Sequence, residues 1–485
     1  MGDRISIIDT TLRDGHQSLW ALNMRTGWML PALEHLDRAG YEAMEFFVPV
    51  VQIKKMIRDL HEDPFQWLKL GAKRAKQTPL RLHAGYRSGL GKVPESVSKL
   101  LVRMIIDQGI TTARISEPWN DFTTLKEEHD EMRRMGIESV VNIIYSVSPR
   151  HTTEYFVQRT REAAALKPYR LCFKDVGGLL TPSRIRELLP KVLEAAGDIP
   201  VEFHNHCTNG LGTYNIQEAV ALGIRHVHSA VPPLADGTSQ PSVFAIVRNL
   251  RALGYDVPLD EDMARPASDY LMEIARREGL AVGAPQAYDE TLYAHQIPGG
   301  MISNLEFQLK KVGMGDRINL IREEAARVRA ELGYPIMVTP LSQFVGTQAA
   351  INVITGERYK QVSDETIQFA LGFWGREALQ HMDANARDRI LDRPRAREIA
   401  AMETSEPSLA EVRKAFGNNL TDEELIIRSY IDEDAVQLVR KMPPPIEETM
   451  VQSPLLALIS GLAAQSAHHE LCVTVGDMSV RLSKG

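Results

Sequence analysis

Short apolar runs alternate with amphipathic stretches over the first half of the chain. ISIID (5–9), AMEFFV (43–48), LRLHA (80–84), TARIS (112–116), VVNIIYSV (140–147), RLCFKDV (170–176), VEFHNH (201–206) and HVHSAV (226–231) read as strands, roughly 30 residues apart. Helical patterns lie between them. Ser96–Gln108 gathers Val97, Leu100, Leu101, Met104 and Ile105 on one face, and Pro182–Ala196 opens with Thr181-Pro182 as N-cap and first helical residue. Eight β/α units are the number that closes a barrel, so the pattern predicts an α/β fold, a (β/α)8 TIM barrel. An open doubly wound sheet is the alternative, but the GxGxxG expected after its first strand is missing.

Beyond about residue 260 the period changes and helical patterns dominate, as in Pro266–Glu278, Ser303–Val312, Asp316–Leu332 and Ser363–Leu371. This predicts a mostly helical region packed on the barrel rim. Thr404–Met442 is charged and helical; Pro443-Pro444-Pro445 then leads to a tail whose last residues read as a β-hairpin turning at Gly476-Asp477. The expected organisation is a barrel domain (1–295), a helical domain that completes the active site (296–442) and a tail (443–485).

Composition narrows the function classes. A net charge of −7 gives no electrostatic case for nucleic acid or an anionic membrane. No apolar stretch reaches the length of a membrane span, and the N-terminus enters a strand with no signal-peptide pattern, so a cytoplasmic location is expected. Three scattered cysteines, Cys172, Cys207 and Cys472, fit a reducing compartment and form no CxxC pair.

In such a barrel, chemistry sits at the C-terminal ends of the strands. Strand one ends at Asp9, strand six at Lys174-Asp175 and strand seven at His204 and His206, which share one side of the strand by its two-residue period. These imidazoles and the Asp9 carboxylate form a candidate divalent-metal set. Each has a plainer alternative: HxH as strand structure, and Asp9 as a cap on the backbone NH of Thr11 or Leu12. Lys174 is costly to bury as a cation; its desolvated amine can add CO2 and offer a carbamate to the metal. His228 of strand eight reads as a rim histidine.

DTTLRDGHQSL (9–19), RLCFKDVGGLLTP (170–182) and VEFHNHCTNGLG (201–212) resemble the carboxyltransferase domain of biotin-dependent enzymes, the group of pyruvate carboxylase, oxaloacetate decarboxylase and transcarboxylase. The likeness continues in ADGTSQPS (235–242), QIPGGMISNLEFQL (296–309) and YPIMVTPLSQFVGTQAAINVITGERY (334–359). The resemblance implies zinc, manganese or cobalt held by Asp9, carbamylated Lys174, His204 and His206. It implies proton transfer between biotin and the acceptor by Thr339, whose plainer alternative is a helix N-cap, with Lys174 and Arg13 also in catalytic roles. Arg13, Asp14 and Gln17 match the family's substrate pocket, and Lys92 and Arg114 are further substrate-binding candidates of this sequence. The implied reaction moves a carboxyl group between carboxybiotin and a small carbon acid. The alternative is a biotin-independent aldolase or Claisen-type lyase of the wider superfamily of hydroxymethylglutaryl-CoA lyase and isopropylmalate synthase.

The likeness breaks around the acceptor. The family pattern LLRGxNxxGY meets LHAGYRSGLGK (82–92) here, which puts Gly85 at the family's arginine and Lys92 at its tyrosine; Glu45–Val51 and Arg114–Glu117 depart too. Either Arg87 or Lys92 supplies the charge after a local shift, or the acceptor is not pyruvate. No AMKM-like biotinyl lysine is present. A separate biotin carboxyl carrier protein, a biotin carboxylase subunit, a small acid or acyl-CoA acceptor and a second copy of the chain are therefore the expected partners.

Overall fold

The computed structural model describes residues 2–83, 85, 93–298, 309, 313–402, 406–447, 470–475 and 478–483. Eight parallel strands close a barrel in chain order: β1 (Ser6–Asp9), β2 (Ala43–Phe47), β3 (Leu80–Leu82), β4 (Thr112–Ile115), β5 (Glu138–Ile144), β6 (Arg170–Asp175), β7 (Val201–Asn205) and β8 (His226–Ser229). Closure is made by β8 on β1, with Ser6 opposite His226 and Asp9 opposite Ser229. All eight expected strands form, each as a short run covered by helices, which is why they read as continuous apolar segments.

Where the boundaries move, a named contact moves them. β5 stops at Ile144, because Ser146 and Val147 turn out of the sheet to bond Gln296 and Arg329. The helix expected from Pro266 begins at Glu261: the Asp260 carboxylate caps the NH groups of Asp262 and Met263 at 2.9 and 3.2 Å, and Pro266 lies inside the helix. Thr404–Met442 divides into helices Leu409–Phe416, Asp422–Tyr430 and Glu433–Arg440. The tail strands β9 (Glu470–Val475) and β10 (Met478–Ser483) pair antiparallel, Val475 opposite Met478. Apart from Leu309, the helix expected over Ser303–Val312 lies outside the described residues.

Two apolar cores result. The larger joins the outer face of the barrel to its helices and also takes Val412, Leu425, Ile426, Ile427 and Val436 from the last three helices. The smaller is built by the helices Ile318–Glu331, Leu341–Thr355 and Asp364–Leu371 and receives Trp119 from the loop after β4. Trp119 packs 5.6 Å from the Phe369 ring, and Arg329 holds Ser146 and Val147 after β5. The helical region therefore sits on the rim at the C-terminal ends of β4 and β5. No helix among the described residues is long and apolar enough to cross a membrane.

Candidate metal centre

The barrel interior carries ionic side chains where bulky aliphatic layers are the usual filling. Near its C-terminal end, Glu45 of β2 lies between two guanidinium groups. Arg13 Nε donates to it at 2.7 Å and Arg114 Nη2 at 3.0 Å, and all three residues are buried. Arg13 Nη2 also donates to Asp14 at 2.6 Å. Arg114 and Arg13 hold Glu45 below the usual carboxylate range against the opposing effect of burial.

Asp14 reaches this position through the backbone. Residues Thr11–Gly15 form a wide π-type turn in which the NH groups of Arg13, Asp14 and Gly15 all point to the carbonyl of Thr10. The turn needs a glycine at its end: a Cβ on Gly15 would lie 2.6 Å from the Leu234 carbonyl oxygen. It swings the Asp14 carboxylate over the barrel axis, 3.3 Å from His204 Nε2 and 3.6 Å from His206 Nε2. The two Nε2 atoms are 3.1 Å apart. Asp14, His204 and His206 are all buried, and their ligand-type atoms converge closely enough for one ion. Burial alone would raise Asp14; the charge of Arg13 holds it well below the carboxylate range.

Asp9 is not in this cluster. Its carboxylate accepts from Thr11 N at 3.1 Å and from Thr11 Oγ1 at 2.5 Å, and Thr11 Oγ1 in turn accepts from Val231 N. The capping alternative is thus what the geometry shows, and Asp14, expected as a substrate-binding residue, takes the place proposed for Asp9. Burial pushes Asp9 up to about 7.

Lys174 is the cross-strand neighbour of His204 in the β6–β7 register. It is 4 % exposed and makes no hydrogen bond or ion pair among the described residues. Burial, then the charges of Arg114 and Arg13, bring its amine down to about 7. Asp175, on the opposite face, braces the loop that follows β6: it accepts from Leu179 N, Leu180 N and Asn205 Nδ2.

The remaining expected residues divide. Gln17 carries a buried amide oxygen with no hydrogen-bond partner. Lys92, with Arg87, falls outside the described residues. At Gly85 a Cβ would lie 1.8 Å from Glu128 Oε1, so Glu128 occupies the space that a larger residue there would need. Thr339 is exposed, at the start of the turn into the helix Leu341–Thr355, whose N-cap is Pro340 with no side-chain capping bond. Arg329 donates to the Pro335 carbonyl as well as to Ser146 and Val147, which ties the segment leading to Thr339 to the exit of β5. His16, left without a role by the sequence, accepts the Met24 NH at 2.7 Å and braces the first loop.

Four partners were missed. Glu45, Arg81, Glu202 and Gln240 read as strand or loop residues, yet all are buried in the network. The signal for Glu45, Arg81 and Glu202 was charge at inward positions of strands that are otherwise apolar; Gln240, an uncharged loop residue, gave none. His228 is corrected as well: it is fully buried inside the barrel, 3.0 Å from His204.

The barrel and the helical region on its rim define a TIM-barrel protein whose buried Asp-His-His cluster is a candidate metal centre. Residues 4–270 match the HMGL-like family, over half of the chain, and residues 292–453 match the conserved carboxylase domain. The chain belongs to the HMGL-like family and is a homologue of the carboxyltransferase subunits of biotin-dependent enzymes. It is 36% identical over 375 residues to a pyruvate carboxylase subunit of Methanocaldococcus jannaschii, covering 77% of this chain and 66% of that one. It is 30% identical over 435 residues to the 2-oxoglutarate carboxylase large subunit of Hydrogenobacter thermophilus, covering 87% and 66%. The carboxyl transferase domain of Rhizobium etli pyruvate carboxylase has the same fold, with a TM-score of 0.81, 23% identity, and coverage of 99% of this chain and 83% of that one. The chain thus spans 66% of the length of the first two relatives.

Proposed function

We propose that this chain is a metal-dependent carboxyltransferase moving a carboxyl group between carboxybiotin and a small 2-oxo acid. The observation that carries the reading is the convergence of Asp14, His204 and His206 beside the unpaired amine of Lys174. One carboxylate oxygen and two imidazole nitrogens suit zinc, manganese or cobalt. The Lys174 amine, neutral in a large fraction at neutral pH, is able to form a bond to CO2 with release of one proton. The resulting carbamate supplies a further oxygen ligand. When bound, the metal supplies Lewis-acid stabilisation of negative charge on the acceptor's carbonyl oxygen.

The chain's own residues do the rest. Arg13, fixed by Glu45 and Asp14, retains Nη1 for a substrate oxygen. Gln17 offers an unpaired amide oxygen. The Thr339 hydroxyl makes no hydrogen bond among the described residues, and its segment is tethered by Arg329 over the exit of β5. Oγ1 is both donor and acceptor, so it accepts the acceptor's proton as it gives its own to the biotin ureido nitrogen. Biotin comes from a carrier outside these residues, served by a biotin carboxylase, and the assembly contains two copies of the chain.

The conserved carboxylase domain favours carboxyl transfer over the lyase alternative. The names of the two relatives above support a 2-oxo acid as acceptor. The test is biotin-stimulated decarboxylation of 3-carboxy-2-oxo acids, the carboxylated products of 2-oxo acid acceptors, by the metal-loaded protein. Thr339→Val is expected to abolish it with metal content unchanged. Full activity in that variant, or no biotin stimulation in the wild type, overturns the reading.

A further inference from the structure

A metal ligand must present a lone pair, and a neutral imidazole presents one on only one of its two nitrogens. What decides the tautomer of His204 lies below the metal cluster. Glu202 of β7 is held by Arg81, whose Nη1 and Nη2 donate to its two oxygens at 2.8 and 2.9 Å, and by Arg170 Nη1 at 3.3 Å. A carboxylate clamped by two guanidinium groups is ionised and only accepts. His228 Nε2, 2.9 Å from Glu202, must therefore donate to it. With Nε2–H spent on Glu202, a neutral His228 presents a lone pair at Nδ1, which faces His204 Nδ1 at 3.0 Å. His204 then donates from Nδ1, and its lone pair falls on Nε2, the nitrogen facing Asp14 and His206.

Two further contacts agree. His206 Nδ1 lies 2.6 Å from the Thr238 carbonyl, an acceptor only, so His206 also keeps its lone pair on Nε2. The amide nitrogen of Gln240, a donor only, stands 2.9 Å from His206 Nε2 and 3.3 Å from His204 Nε2. Both ligand nitrogens are thus directed at the ion position by groups that are not themselves ligands.

We infer that His228 is a positioning residue for the metal centre: oriented by Glu202 and Arg81, it locks His204 with its lone pair on Nε2. The inference rests on the metal-centre reading above. The same atoms also suggest a second ion site, since Cys172, Glu202 and His228 lie close enough to share a cation. The charges argue against it. Glu202 is already matched by Arg81 and Arg170, and Arg114 Nη1 stands 3.7 Å from Cys172 Sγ, so a cation there would face three guanidinium groups. The trio serves as support for the first site.

The test compares Zn2+ affinity, by competition with a chelator, in the wild type, His228→Phe and His228→Asn. Phenylalanine keeps a ring and removes the acceptor; asparagine returns an acceptor oxygen at the position of Nδ1. Loss of such an outer partner typically weakens metal binding by about 10- to 100-fold, and that loss is expected for His228→Phe, with recovery of most of it in His228→Asn. Affinity in His228→Phe within about threefold of the wild type overturns the inference. A second measurement stands apart from metal and from variant folding: nitrogen NMR of the metal-free wild type with labelled histidine. A proton on His204 Nδ1 is expected, and a proton on Nε2 overturns the inference. A wild type that binds no divalent metal sinks the metal-centre reading, while the NMR result still decides the tautomer lock.

Discussion

Lys174→Met offers a direct measurement of how far the barrel desolvates its lysine. The Lys174 amine falls from an ordinary value of 10.5 to about 7, through burial and then the charges of Arg114 and Arg13. Its sign is worked from proton counts. Between these two values the unfolded chain holds the lysine proton and the folded chain has released it, so wild-type stability rises with pH. The contribution is complete above the unfolded value and is lost as pH falls through the folded one. Methionine cannot titrate, and all other groups cancel in the difference between the two proteins. Integrated from about pH 7.5 to pH 9.5, the wild type should gain about 2.5 kcal/mol relative to Lys174→Met, close to one proton per molecule. Urea midpoints of both proteins across that range, metal-free and purged of CO2, give the difference. A stability gap constant to within about 0.5 kcal/mol would show that Lys174 keeps its proton in the fold and refute its use as a neutral amine.

Three further outcomes separate buried from exposed charge and ligand from brace. Glu45→Gln strips the shared counter-charge from Arg13 and Arg114 and should cost about 3–5 kcal/mol in a denaturation curve, whereas Asp364→Asn at the exposed pair with Arg395 should cost under about 1 kcal/mol. Asp14→Asn should abolish divalent-metal binding measured by calorimetry, while Asp9→Asn should keep it and lower thermal stability through loss of one of the two Thr11 bonds. Bicarbonate should tighten metal binding at least about tenfold in the wild type, since carbamylation replaces a competing proton acceptor by an anionic ligand. No such effect is expected in Lys174→Met.

The barrel was legible because its signal is repetitive: eight apolar runs, each too short for a helix, with amphipathic stretches between them. The HxH of β7 was legible because a strand's two-residue period needs no tertiary information. Asp9 and Asp14 were not separable in the same way. Asp9 stands at a strand end, where ligands are sought, but its carboxylate is claimed by a neighbour two residues away. Asp14 depends on the wide turn over Thr11–Gly15, and that turn is set by contacts with β8 and the loop after it. His228 was misread for a related reason. Its Glu202 partner is 26 positions away, and inward-facing charge on a barrel strand looks like an irregularity until both strands are placed side by side.

The charge balance of the interior explains why these missed residues matter. Near the C-terminal end, the guanidinium groups of Arg13 and Arg114 face the carboxylates of Glu45 and Asp14. Deeper, Arg81 and Arg170 face Glu202 and the half-buried Glu42. Each layer balances with Lys174 neutral, so protonating Lys174 adds an unmatched charge in a dry site. A bound dication would add two positive charges, and Asp14, the one carboxylate of the cluster, is already paired with Arg13. A carbamate on Lys174 returns one negative charge at that place and converts the one unpaired polar group of the cluster into a ligand. Arg114 serves both states: beside a neutral amine it helps to suppress the proton, and beside a carbamate it stands as a cation near a new anion. Under the proposed function, burial and the charges of Arg114 and Arg13 would leave the Lys174 amine ready for CO2 before any metal arrives. Arg114, which does not belong to the Asp-His-His cluster, lowers the Lys174 amine, while Glu45 opposes that shift and serves as the counter-charge that keeps Arg114 balanced in the dry site.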